Sequence, residues 1–283
     1  MSSVTFGVYD PSGAFISASG IGIDHYIVFD WNKPVSADLD TGAALTDSAI
    51  ASRNAGRIPL VSILPYADPR ITKSPARLLP DIAAGKYDAV IRGLASALKS
   101  YNGPVYLRWG PSMDDPVGIG RYPWAVPPEK ADSYIAAYHR FVDVFRTYSN
   151  SLTEKQFLWS PMWGMRSEAY WPGDSFADYV ACSMYVWQQY VLDIYKQTDY
   201  SFANLFGQRY SRLSTYNKPI TIAAMGFEKA DDQASWVADM KASLDNFPLL
   251  SAAVWTNAKD IYPWEPGGPI PDWSIDPALW HNP

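Results

Sequence analysis

Eight short runs of apolar, β-branched or aromatic residues recur along the chain, at 5–9, 26–29, 59–64, 105–109, 157–159, 179–184, 220–223 and 252–255. Each is followed by a polar or Gly/Pro turn, and most of the gaps leave room for a helix. Helical patterns are clearest at 89–101, 130–148 and 233–244. In the second of these, Tyr134, Ala137, Tyr138, Phe141, Val142 and Phe145 follow the i, i+3, i+4, i+7 spacing of a core-facing stripe. Strands this apolar, alternating with helices, predict a parallel sheet covered on both faces. Eight such units in roughly 250 residues fit an α/β fold of the (β/α)8 TIM barrel type better than an open doubly wound sheet. No Pro/Ser-rich linker or repeat divides the chain. The expectation is therefore a single domain over 1–283, with 264–283 a Pro- and Trp-rich tail packed on the barrel. No Gly-rich dinucleotide or phosphate loop follows any run, so no cofactor is expected.

Charge and composition narrow the partners. With 23 Lys+Arg against 29 Asp+Glu the net charge is −6, which removes the electrostatic footprint of nucleic-acid binding. A single cysteine, Cys182, excludes an internal disulfide and reads as a small buried core residue. His25, His139 and His281 lack the spacing of a zinc site, so no metal is expected. No stretch reaches the ~20 apolar residues of a membrane span, and the first residues lack the pattern of a signal peptide. The reading is a secreted or periplasmic monomer whose leader is absent from this sequence. The 12 Trp, 19 Tyr and 11 Phe point either to a densely aromatic core or to flat rings along a groove. Sugar rings stack on such surfaces through their apolar C–H faces.

In a barrel of this kind chemistry is built where strands end. The candidates there are Tyr9-Asp10, Asp30-Trp31, Pro65-Tyr66, the stretch Leu107-Arg108-Trp109-Gly110-Pro111-Ser112-Met113-Asp114, Trp159 to Trp163, Ser183-Met184-Tyr185, Ala223-Ala224-Met225-Gly226 and Trp255-Thr256-Asn257. The fourth-strand stretch, Tyr170-Trp171-Pro172-Gly173-Asp174, Lys218-Pro219-Ile220-Thr221-Ile222-Ala223-Ala224-Met225-Gly226 and the closing Asp272-Trp273-Ser274-Ile275-Asp276 resemble glycoside hydrolase family 26, in that family's order and over nearly the whole chain. The resemblance implies a retaining (β/α)8 glycosidase scaffold of the kind found in mannanases and β-glucanases, with β-linked polysaccharide as partner.

The same resemblance places the family's acid/base Glu at Ser112 and its nucleophilic Glu at Ala224. Neither position carries a carboxylate. Pro111 and Asp114 stand where the family pattern has His and Asn. Retaining hydrolysis needs one carboxyl to donate a proton and a second, about 5–5.5 Å away, to attack the sugar. The scaffold thus implies a silent glycan-binding barrel, a pseudoenzyme tied to exopolysaccharide production or secretion, or an endo-β-glycanase inactivated by substitution. The alternative is an active endo-β-glycanase on β-glucan or mannan with displaced carboxylates, for which Asp114, Glu168, Glu228 and Asp30 are the candidates. Substrate-binding candidates are Arg108, Trp109, Asp114, Trp163, Trp171, Tyr185, Trp255, Tyr9 and Trp31. Arg108 can serve equally as a structural ion-pair partner, only two or three of the tryptophans are expected to be platforms, and Asp174 reads as a helix N-cap.

Overall fold

The computed structural model describes residues 4–32, 45–98, 101–115, 122–149, 154–162, 166–264 and 267–280. Eight strands, β1 (Thr5–Tyr9), β2 (Ile23–Val28), β3 (Ile58–Ile63), β4 (Pro104–Trp109), β5 (Glu154–Trp159), β6 (Tyr179–Val186), β7 (Ile220–Phe227) and β8 (Leu250–Thr256), follow one another in a closed parallel barrel in chain order. The fold is therefore the (β/α)8 barrel that the eight runs predict. Seven α-helices lie among the described residues: α1 (Leu45–Asn54), α2 (Leu78–Ala83), α3 (Asp88–Ala97), α4 (Ala131–Tyr148), α5 (Gln188–Tyr195), α6 (Phe202–Leu213) and α7 (Gln233–Ser243). The connection from β1 to β2 is built of turns, and no helix follows Asp174, which sits in a turn before β6.

The chain forms two compact units, Met1–Asp24 with Cys182–Pro283, and His25–Ala181. In the second, β4 pairs in parallel register with β3 (Ile63 opposite Trp109) and with β5 (Arg108 opposite Leu158). The helix α4 covers this sheet with the stripe read from its spacing: Tyr134, Ala137, Phe141, Val142 and Phe145 are fully buried and Tyr138 nearly so. Each such aromatic contributes about 1.5–3 kcal/mol by leaving water. In the first unit, β8 pairs with β1 along Thr5 to Tyr9 and with β7 through two register irregularities. The last turn of chain returns to β1, where the Trp280 indole donates to the Gly7 carbonyl at 2.8 Å and meets Phe6 edge-on at 4.9 Å.

Two strand boundaries differ from the apolar runs, one at the end of β7 and one at the start of β2. Strand β7 extends to Phe227, so Ala224 is inside the strand and 5% exposed; all eight of its residues are buried, Thr221 included, and no charged residue interrupts it. Strand β2 starts at Ile23, before the apolar run, because His25 is itself buried and bonded across to Ser62 on β3.

Candidate functional site

Within the His25–Ala181 unit, the chain leaves β4 through a turn with two left-handed residues, Gly110 at φ +52° and Ser112 at φ +61°. Left-handed backbone suits glycine and is strained for serine by about 1–3 kcal/mol. Neighbours hold the turn in place. The Ser112 N–H donates to the Ser160 carbonyl at 2.8 Å, the Trp124 indole to the Pro111 carbonyl at 2.7 Å, and the Tyr134 hydroxyl to the Gly110 carbonyl at 3.3 Å. Arg108 is buried, and its Nε donates to the Ser160 hydroxyl at 2.9 Å. Its positive charge lies close enough to His25 to help depress that imidazole, which burial above all pushes down to about 3. His25 is therefore neutral near pH 7, with Nε2 2.8 Å from Ser62 Oγ. Asp114 is half-buried, and its Oδ1 accepts the Met162 N–H at 2.7 Å.

Past β2 and β3 an open cleft of about 450 Å³ is lined by Asp30, Asn32, Tyr66, Asp68 and Arg70 among others. Its loop is pinned: Asp68 N–H donates to the Tyr87 hydroxyl, which donates to Thr72, and Thr72 to Asp81. The Arg70 guanidinium grips Asp68 at 2.7–3.0 Å and holds its carboxyl below the usual range. Of these, Asp30 and Tyr66 are among the strand-end candidates read from the sequence. Asn32 and Arg70 escaped because their nearness arises from two connections separated by more than thirty residues.

Several tryptophans assigned as sugar platforms are core residues instead. Trp109 is fully buried, stacked on Phe141 at 5.5 Å. Trp31 is stacked on Tyr87 at 5.3 Å, with its Nε1 donating to the Tyr66 carbonyl. Trp255, also fully buried, donates to the Trp273 carbonyl at 2.7 Å and packs against Trp280. Rings closed off on both faces cannot stack on a ligand. Trp171 is half-buried, edge-on to Trp159 at 5.1 Å. Trp163 lies outside the described residues.

In the first unit the β6 end carries Tyr185, half-buried, with its hydroxyl 2.8 Å from Thr256 Oγ1 and its ring 5.1 Å from Trp273. Tyr9 is buried at the end of β1. Next to it Asp10 accepts from the Phe15 N–H, the Ser12 hydroxyl and the Asn257 amide, so its carboxylate organises the β1–β2 connection. Glu228, one residue past β7, is buried, with Oε2 accepting the Asp272 N–H at 2.9 Å and Oε1 the Ala230 N–H at 3.4 Å. It is a staple for the closing segment. Glu168 is exposed on a 3-10 turn, Ser167–Tyr170. Among the described residues no group of three or more His, Cys, Asp or Glu is arranged to hold a metal, and no helix is long and apolar enough to cross a membrane.

No protein-family model matches the chain. A stretch of 195 residues is 28% identical to Endoglucanase H of Acetivibrio thermocellus, a match over 65% of this chain and 21% of that protein. The chain thus spans about a fifth of that relative's length. Among solved structures, a GH26 β-mannanase from Bacteroides ovatus superposes with a TM-score of 0.66 at 14% identity, over 90% of this chain and 80% of that one. A Bacillus subtilis mannanase superposes with a TM-score of 0.62 at 14% identity and the same coverage. The fold is that of the family 26 glycoside hydrolases. On this family 26-like scaffold, the residue following Pro111 in the β4 turn is Ser112, and the fifth residue of β7 is Ala224. The strained turn at Ser112 is held by backbone hydrogen bonds on both sides, since Asp115 N–H also donates to the Ser112 carbonyl at 3.1 Å.

Proposed function

We propose that the chain is a glycan-binding barrel that takes β-linked polysaccharide at the C-terminal ends of its strands without hydrolysing it, in the production or export of an extracellular polysaccharide. The observation that carries this reading is the side chains at Ser112 and Ala224, the two positions that the motif resemblance assigns to the acid/base and nucleophile. A hydroxyl and a methyl group supply neither a proton donor of suitable pKa nor a carboxylate nucleophile. The remaining carboxylates support it too. Of the displaced candidates, Glu228 accepts the Asp272 and Ala230 N–H groups and Asp114 accepts the Met162 N–H, contacts that tie loops together. In the His25–Ala181 unit we assign Trp171 and Asp114 to ligand binding, with Arg108 a positioning residue through Ser160, and in the first unit Tyr185. β-Mannan and β-glucan, the polymers named by the similar enzymes, are the ligands to try first.

The test is a reducing-sugar assay with the unaltered chain on both polymers, beside calorimetric binding of their oligosaccharides. Binding without turnover is the expected result. The double change Ser112→Glu and Ala224→Glu should then bring measurable hydrolysis, with either single change giving far less, because two carboxyls act as a unit. Turnover by the unaltered chain, abolished by Glu168→Gln, would overturn the reading in favour of displaced catalysis.

A further inference from the structure

Of the twelve tryptophans in the sequence, eight are buried and Trp171, Trp187 and Trp264 are half-buried. Two of these three meet. Trp187 follows the last residue of β6, Trp264 lies in the segment after β8, and their ring centroids are 6.3 Å apart. Tyr190 on α5 joins them, nearly parallel to Trp187 (14°, 6.1 Å) and edge-on to Trp264 at 4.9 Å. The cluster continues inward through Trp264 to Trp273 (5.3 Å) and from Trp273 to Tyr185 (5.1 Å). The two segments that carry it are also rich in exposed apolar side chains. Leu192, Ile194 and Tyr195 on α5, with Ile261, Tyr262 and Ile270 beyond β8, are six of the eight exposed large hydrophobic side chains among the described residues.

We propose that this aromatic rim is a binding platform for polysaccharide extending beyond the strand ends, with neutral hexose rings lying on Trp187 and Tyr190 and Trp264 standing edge-on beside them. The inference rests on the glycan-binding reading and adds a second, outer contact to it. Exposed apolar surface on this scale marks an interaction site rather than ordinary surface. Its chemistry selects the ligand. The half-buried Trp187 and Tyr190 have nearly parallel ring planes, suited to the apolar C–H faces of uncharged sugar rings. Nearby polar groups suit hydroxyls: Asp260 already accepts the Trp264 N–H at 2.9 Å, and Gln189 is paired with Asp193 at 2.7 Å on the helix surface. Asp193 and Lys196 offset one another at the end of α5, so there is no basic cluster to draw an anionic membrane. The ring contacts run through buried Trp273 to Tyr185, one residue before the end of β6.

Chain length is the variable that isolates the platform. Calorimetric titration with a series from tetra- to decasaccharides of β-mannan and β-glucan should show affinity rising with length in the unaltered protein. Trp187→Ala or Tyr190→Ala should lower affinity for the longest ligands by about 10-fold or more, as expected for a stacking hot spot. Affinity for the tetrasaccharide should stay the same, and Trp187→Phe should recover most of the loss. Thermal unfolding of each variant identifies any that misfold, and Tyr190→Ala replaces Trp187→Ala in that case. If the unaltered protein binds the tetrasaccharide but gains nothing with length, or gains equally in the variants, the platform is wrong and the glycan-binding reading stands. If no oligosaccharide binds at all, both fall. Concentration-dependent dimers in sedimentation that Ile194→Asp abolishes would make the patch a self-association surface, and co-sedimentation with anionic lipid vesicles would make it a membrane contact. Either result would overturn the proposal.

Discussion

At the scale of single residues the barrel interior carries one titratable group whose state is set by its surroundings. His25 lies between β3 and the charge of Arg108, and burial above all, with that charge, pushes its pKa down to about 3. In the unfolded chain the same imidazole titrates near its ordinary value, about 6.5. Above that pH both states are neutral and the histidine does not affect stability. As pH falls through 6.5 toward 3 the unfolded state binds the proton first, so stability is lost across that window by up to about 1.4 kcal/mol per unit. Urea unfolding from pH 7 to 4 should show His25→Gln with a shallower loss than the unaltered protein by close to one proton's worth. An unchanged slope would mean that His25 is protonated in the native state.

At the scale of elements, β7 shows what the apolar runs left out. Its later residues, Ala224 to Phe227, are buried like its earlier ones, and small side chains let the closing segment lie against them. Gly226 is such a position: an added Cβ would come within 2.8 Å of the Trp273 Cβ and 2.9 Å of its ring. Since Trp273 is itself buried and tied to Tyr185 and Trp264, it has no room to retreat. Gly226→Ala should therefore destabilise by about 1–3 kcal/mol through overpacking, visible as a fall of several degrees in Tm. A hydrophobic run is read by its large residues. In β7 the small Ala223, Ala224 and Gly226 break up the large residues, so the pattern registers its start and misses Met225 and Phe227, and it misses the start of β2, where a buried histidine interrupts it.

At the scale of the whole molecule, the closing residues are part of the core. Trp280 is fully buried between Phe6 and Trp255 and donates to the backbone of β1, so the two ends of the sequence are held together by one indole. Trp280→Ala should cost about 3–5 kcal/mol, as truncation of a buried aromatic does. The check is a lower denaturation midpoint with an unchanged urea slope, the sign that stability fell without a change in the folded architecture.

The sequence by itself determined the barrel. Eight apolar runs at helix-spaced intervals admit few closed arrangements, and the stripe on α4 is local chemistry that spacing alone exposes. The motifs at the ends of β4 and β7 also showed, before any coordinates, that Ser112 and Ala224 carry no carboxylate. The tertiary structure alone decided which aromatic rings face a ligand. A tryptophan after a strand has the same local pattern whether its ring lies in solvent or beneath a helix, and the difference depends on partners far along the chain. Trp109 meets Phe141, Trp31 meets Tyr87 and Trp255 meets Trp280, whereas Trp187 and Trp264, separated by more than seventy residues, come together at the surface. Burial is a property of packing between distant segments, so no local pattern records it.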